Sequence, residues 1–421
     1  MVVSGEADST RPARKRCQNC SGVCCRRQGG REFFLLFPCR GFCDNFHMRC
    51  LPLMILIVAS AVGQSVPGGS APRVQFSNST ESLRGVSAVS RRVAWASGTH
   101  GTYLRTIDGG GTWTPAQVPD AAALDFRAAA AFSADETFLM SAGPGEQSRI
   151  YHTGDGGRSW QLQFTNKNPK GFFDSMVFWD AKHGVVLGDP IADESGKLKF
   201  EVLLTDDGQN WRAVPSAELP DAKEGEGAFA ASNTCIAIAP SASDSNIWFA
   251  TGGKAARVFH SGDRGRSWEV FDTPMVHRPD SAGIFSIAFR DSAHGVIAAG
   301  DYKHPKQDGP NLAFTEDGGK TWTLSALHPL AYFSAVAYDR RVNALAMRDA
   351  VKAENKMRVK PIPAERIFIV GEDFVFDLRP PNNPRRIGGK KKLGIQFNAV
   401  SGYPEGGALV VGPKGAIAFI P

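Results

Sequence analysis

Residues 153–160 read Thr-Gly-Asp-Gly-Gly-Arg-Ser-Trp, and the same string returns four more times with small changes. It stands as Thr-Ile-Asp-Gly-Gly-Gly-Thr-Trp at 106–113 and, one residue shorter, as Thr-Asp-Asp-Gly-Gln-Asn-Trp at 205–211. It stands again as Ser-Gly-Asp-Arg-Gly-Arg-Ser-Trp at 261–268 and Thr-Glu-Asp-Gly-Gly-Lys-Thr-Trp at 315–322. Trp-to-Trp intervals are 47, 51, 57 and 54 residues, a period suited to one four-stranded unit of a repeat protein. The chemistry of the string is that of a turn. The Asp carboxylate can accept backbone N–H bonds across a hairpin, as can the Ser/Thr hydroxyl. Gly supplies positive φ, and the Trp offers a large apolar face to neighbouring strands.

Two further strings count the units independently. Apolar segments ending in Gly occur at 93–98, 138–143, 185–188, 247–252, 296–300, 367–371 and 409–412. Each follows a short apolar strand, at 83–89, 126–132, 173–178, 229–239, 284–289, 332–338 and 396–400. Both strings give seven. The expected fold is therefore all-β, a single seven-bladed β-propeller over residues 73–421. The last unit ends one strand short at Pro421, and residues 73–76, Arg-Val-Gln-Phe, resemble the outer strand Gln-Leu-Gln-Phe at 161–164. This N-terminal strand is expected to pair with 416–420 and close the ring, which removes an unpaired sheet edge.

The sixth unit departs from the pattern. Where a turn string is due after Gly371, the chain reads on through Asp377 to Arg386 without one, and the basic stretch 340–366 lacks strand periodicity. A functional excursion, a decayed blade and a local sequence error over 340–390 all fit, and no site is placed there.

Composition agrees with a globular all-β body: 42% hydrophobic, 21% charged, 45 Gly and 26 Pro in 421 residues. The net charge of +6 is misleading, since residues 1–63 hold nine Lys+Arg against four Asp+Glu. The remainder, with 39 basic and 38 acidic residues, gives no electrostatic case for nucleic acid or an anionic membrane. Seven of the eight cysteines precede residue 51 and only Cys235 lies in the body, so no intrachain disulfide can staple the fold. From Met48 the chain carries one basic residue, an apolar run from 51 to 59, and small residues at Ala61 and Gly63. Residues 48–63 read as a secretory signal peptide cleaved before Gln64, too short for a permanent span, so no stable membrane anchor is expected. Residues 1–47 read as an over-extended gene-model leader, with a zinc cluster on Cys17, Cys20, Cys24, Cys25, Cys39 and Cys43 as the other reading.

The turn string is the Asp-box, or BNR, motif. Together with the stretch from Phe173 to Pro190 and the stretch from Trp248 to Gly253, it makes the chain resemble the photosystem II stability/assembly factor family over residues 73–421. Bacterial relatives of that family are often loosely labelled glycosyl hydrolases or oxidoreductases. The resemblance implies an exported scaffold, periplasmic or lumenal, that helps a partner protein assemble.

The Asp boxes read as structural: Asp108 with Trp113, Asp155 with Trp160, Asp207 with Trp211, Asp263 with Trp268 and Asp317 with Trp322. Propeller sites instead gather at one mouth of the central channel, on the loops before the first and after the second strand of each blade. Those loops supply Arg84, His100, Arg127, Asp174, Asp189, Glu226, Lys254, Asp301, Tyr302, Lys303 and Lys414. A solvated polar rim is the plain alternative. A glycoside hydrolase would need a carboxylate pair, which Asp174, Asp189, Glu226 and Asp301 could furnish. A sialidase would draw on Tyr302 with Arg84 and Arg127, but the Arg-Ile-Pro segment common in sialidases is absent. No His-x-x-x-His pair suggests a metal, and the Gly run 109–111 leads into a strand, against a dinucleotide fold; no cofactor is expected. The sequence reads as a monomeric, exported, non-catalytic propeller binding a protein or glycan through its axial face, with a BNR-type glycoside hydrolase as the alternative.

Overall fold

The computed structural model describes residues 72–240, 244–327, 331–341, 366–371, 374–379, 383–388 and 394–421. The leader 1–47, the signal segment 48–63 and most of the insert, 342–365, lie outside them.

Alternating short strands and glycine turns build seven antiparallel sheets. Blade 1 runs Leu83–Ala88, Ala94–Gly98, Thr102–Thr106 and Thr114–Gln117, and the same order repeats around the ring. The innermost strands are Leu83–Ala88, Asp125–Ala131, Phe173–Asp180, Ile236–Ile238, Ala282–Phe289, Phe333–Tyr338 and Ala399–Gly402. Each touches the next and the seventh touches the first, so the ring is closed. Serine and asparagine side chains stitch the inner strands together. Ser401 Oγ accepts the Ala88 N–H at 3.1 Å, Ser87 Oγ that of Ala131 at 3.0 Å, and Ser286 Oγ that of Val336 at 2.8 Å. Between blades lie apolar layers such as Trp95, Tyr103, Phe126, Leu139 and Tyr151, all buried. Burial of each such side chain is worth roughly 1.5–3 kcal/mol.

Closure follows the expectation. Arg73–Gln75 pairs antiparallel with Ile417–Ile420, Arg73 facing Phe419 and Gln75 facing Ile417. The likeness of 73–76 to 161–164 has a physical cause. Gln75 accepts from Trp113 Nε1 at 2.9 Å and donates to the Gly109 carbonyl at 3.1 Å. Gln163 does the same to Trp211, at 3.0 Å, and Gly208, at 2.9 Å. A glutamine on one blade's outer strand thus clamps the Asp box of the next, and Gln75 makes that clamp across the seam.

The boxes are the turns their residues call for. Asp155 Oδ1 accepts the Ser159 N–H at 2.9 Å, its Oδ2 accepts the Ser159 hydroxyl at 2.6 Å, and Thr153 Oγ1 accepts the Gly157 N–H at 3.0 Å. Such bonds favour the ionised carboxyl and hold Asp108, Asp155 and Asp207 below the usual carboxylate range.

The sixth and fourth blades depart from the common pattern. The sixth blade has its four strands without a box: Phe333–Tyr338, Ile367–Gly371, Phe374–Arg379 and Asn383–Gly388 form one antiparallel sheet. Asp377 is a strand residue whose carboxylate takes Arg366 Nε at 2.9 Å, and Arg366 also reaches Asp339 at 3.1 Å and the Pro421 carbonyl at 2.7 Å. In blade 4 the inner strand is only Ile236–Ile238, shorter than the 229–239 expected. The residues before it leave the sheet and enter the channel.

Candidate functional site at the axial mouth

Strand polarity sorts the loops onto two faces. Inner strands start on one face, second strands return to it, and the Asp boxes, which join third to fourth strands, lie on the other. All eleven expected mouth residues therefore share the face opposite the boxes.

What aims side chains at the axis is a repeated β-bulge. In five blades the pairing of inner and second strand slips by one residue near the start of the inner strand, between Leu83 and Gly85, Phe126 and Ala128, Phe173 and Ser175, Ile284 and Ser286, and Phe333 and Ala335. A bulge leaves one residue unpaired and re-aims it. Those residues are Arg84, Arg127, Asp174, Phe285 and Ser334. The first three were expected at the mouth; Phe285 and Ser334 were not, and neither was Asn398, which follows Phe397 at the matching place in blade 7. Lining up the string apolar, variable, small over 83–85, 126–128, 173–175, 284–286, 333–335 and 397–399 would have found them.

The residues expected as the start of blade 4's strand instead form a plug. The Ala228 N–H binds Asp189 Oδ1 at 3.0 Å, the Ala230 N–H binds Asp174, and the Ala230 carbonyl takes Arg127 Nη1 at 3.0 Å. Ser232 Oγ donates to the Ser334 carbonyl of blade 6 at 2.7 Å, and Asn233 Oδ1 accepts the Met176 N–H of blade 3 at 2.7 Å. Segment 228–233 thus crosses the channel mouth. Phe229 stacks on Phe285 with ring centroids 3.9 Å apart, in a slot that exists because Gly252 and Gly283 have no Cβ to meet it.

Electrostatics follow from this burial. Asp174 is 1% exposed; desolvation first, then the charge of Asp189, push its carboxyl well above the usual range. Desolvation pushes Asp189 up to about 6. The Asp174 Oδ2 has no hydrogen-bond partner. Arg127 Nε bonds Asp125 Oδ2 at 2.9 Å, while Arg84 Nε sits 4.0 Å from the same oxygen. Desolvation, then repulsion from Arg127, lowers the Arg84 pKa. A cavity of about 140 Å3 remains beside the plug, lined by Arg84, Ala231, Tyr332, Ser334, Gln396, Phe397 and Asn398.

The remaining expected residues separate into anchors and rim. Glu226, expected at the mouth, is buried and ion-paired through Arg257, whose Nε lies 2.9 Å from its Oε1; Thr251 Oγ1 donates to it at 2.6 Å. Asp301 is also buried. Desolvation would raise its pKa, but bonds from His304, Ser281 and the Lys303 N–H hold it low. His100 is exposed and bound to Glu81 at 2.7 Å, and Lys254 stands 3.8 Å from Glu224. Tyr302 is 50% exposed, with Lys303 beside it, and Lys414 is an exposed residue at φ +57° in the turn Pro413–Gly415. The four carboxylates nominated for hydrolysis are thus not a pair flanking an open cleft. Asp174 lies under the plug, Asp189 holds it by a backbone bond, Glu226 is neutralised by Arg257, and Asp301 is held by its own loop.

Solved structures agree that the fold is a β-propeller. The structure is similar to a YCF48 protein bound to a D1 peptide, with TM-score 0.55 and 16% identity over 83% of this chain and 94% of that one. It is similar also to the WD40 β-propeller domain of Doa1, with TM-score 0.55 and 11% identity over 84% and 97%. YCF48 from Cyanidioschyzon merolae aligns over 83% and 99% at 15% identity, with TM-score 0.36. No family model and no curated protein sequence matches the chain. At these identities the likeness is one of fold, and it agrees with the resemblance drawn from the repeats.

Proposed function

We propose that the protein is an exported, non-catalytic scaffold that binds a segment of a partner protein through the plugged axial face and assists its assembly. The observation that carries the reading is an open cavity at one face lined by Arg84, with Arg127 of the next blade holding the plug beside it, while the opposite face repeats structural turns. The D1 peptide bound by YCF48 supports a peptide as ligand for a propeller of this shape. The signal-like segment 48–63 supports export. Glycoside hydrolysis is the weaker reading, because Asp174 lies under the plug, Asp189 holds the plug by a backbone bond and Glu226 is paired with Arg257, so they do not flank an open cleft.

The test is affinity capture from periplasmic extract with the full chain tagged at its C-terminus, in three forms: wild type, Lys303→Glu on the rim, and Asp155→Ala in a box. A protein recovered by wild type and by Asp155→Ala, but lost with Lys303→Glu, is the expected result. Equal recovery by all three, or loss only with Asp155→Ala, overturns the axial-face reading.

A further inference from the structure

The plug leaves one sector of the mouth open, between the inner strands of blades 6, 7 and 1. There a charged group stands without its complement. The Arg84 side chain is two-thirds buried, makes no hydrogen bond to any described residue, and its one ion pair, with Asp125, is long at 4.0 Å. Asp125 is already taken by Arg127 at 2.9 Å. Nothing else in the lining is acidic: Ala231, Tyr332, Ser334, Gln396, Phe397 and Asn398 complete it. Asn398 spends its amide on the Leu83 carbonyl at 2.9 Å and Ser334 its hydroxyl on the Val370 carbonyl at 3.3 Å, so both are fixed as walls. Withdrawing a guanidinium from water is costly unless an anion satisfies it.

We infer that this cavity is a subsite for a single carboxylate, gripped by the Arg84 guanidinium. Arginine offers planar donors that match a two-oxygen anion. The cavity, about 140 Å3, exceeds by several-fold the roughly 30 Å3 share of one water and falls below the ~300–1,000 Å3 of drug-sized pockets. That size suits one small acid or one acidic end or side chain, and not a sugar chain. Both sources present the same group. The burial that depresses the arginine's pKa strengthens the attraction, since a charge pair interacts more strongly out of water. The subsite deepens the axial-face reading and rests on it for its biological use, though not for its chemistry.

The experiment uses the full-length protein and trifluoroacetate, one carboxylate visible by 19F NMR. Acetate should displace it while acetamide, of the same shape without the charge, should not. A tripeptide with a free C-terminus, against the same peptide amidated, tests the polypeptide-borne source. Arg84→Gln should weaken trifluoroacetate about tenfold or more, with Arg84→Lys between the two because the charge remains and the fork is lost. Ala231→Leu fills the cavity from the plug without touching the arginine and should abolish binding, which keeps the test decisive if Arg84→Gln unfolds. No binding by wild type, equal competition by acetamide, or wild-type binding in Ala231→Leu each overturns the inference. A partner captured through the rim while trifluoroacetate fails to bind sinks the subsite alone. Trifluoroacetate binding with no axial partner sinks the scaffold reading alone.

Discussion

The two faces of the ring use the same residue to opposite ends. On the box face, Asp155 and its counterparts are exposed carboxylates held ionised by turn N–H and hydroxyl groups. On the mouth face, Asp174 and Asp189 are withdrawn from water, pushed toward the neutral form, and tied to the N–H groups of a segment that is no strand. Repetition marks the first, and departure from repetition marks the second. A repeat protein needs every blade to turn in the same way, so selection for fold leaves a periodic signature. A binding face needs different groups at equivalent places, and the bulge position supplies them: Arg84, Arg127, Asp174, Phe285 and Ser334 occupy one slot in five blades.

Cutting the plug's anchor should have the largest effect. Arg257 and Glu226 are paired with side chains 8% and 0% exposed. Arg257→Ala strands a buried carboxylate beside the plug, and unfolding in denaturant should show a loss of about 3–5 kcal/mol. Pairing that change with Glu226→Leu should recover much of the loss. A penalty within error would mean that the mouth tolerates opening, and the contrast between faces would narrow to geometry alone.

A single box should cost less, because each is one of several. Asp263 accepts the Ser267 N–H at 2.9 Å and hydroxyl at 2.6 Å, and also the Arg266 N–H at 2.9 Å. Removing such a cap leaves turn donors to water, so Asp263→Ala should lower stability by about 1–2 kcal/mol, seen as a modest fall in melting temperature. Trifluoroacetate binding at the mouth should not change. If it did, the two faces would be coupled through the sheets.

The blades, the boxes and the closing strand could be read from residues because each is set by local chemistry: turn residues at fixed spacing, strand alternation, and a glutamine in the place that Gln163 occupies. The sixth blade forms without its box since Ile367–Gly371 and Phe374–Arg379 still carry strand residues, and the turn string favours a hairpin without being required for it. The mouth was legible only by position. Arg84, Arg127 and Asp174 were placed at the axis, but their bulge depends on pairing across strands, which no single segment shows. The plug was missed because Phe229-Ala230-Ala231 is as apolar as a strand. Its polar sequel Ser232-Asn233-Thr234, and the glycines Gly225 and Gly227 before it, were the signals against that reading.

The smallest effect expected is also opposite in sign. Asp174 is faced by Asp189 from its own sheet's second strand, Glu201 from the third, Arg127 from blade 2, and Cys235 and the Ala230 N–H from the plug side. Its folded pKa, like that of Asp189, lies above the value of about 3.9 for an unfolded Asp. Between those values the native state binds the extra proton. The resulting stability is fully present below about pH 4 and is lost as pH rises through the raised folded pKa of each carboxyl, which for Asp189 is about 6. Box aspartates run the other way, losing their contribution only in acid. Asp174→Asn imitates the neutral carboxyl, whose remaining oxygen still accepts from Ala230. At acid pH the variant should melt with wild type. Above neutrality it should melt slightly higher, with a shallower decline that Asp189 alone continues to drive. Melting curves of both proteins across that range decide the matter: parallel profiles, with the variant lower throughout, would mean that Asp174 works as an ionised partner of Arg127, and the two faces would then hold their aspartates in the same state.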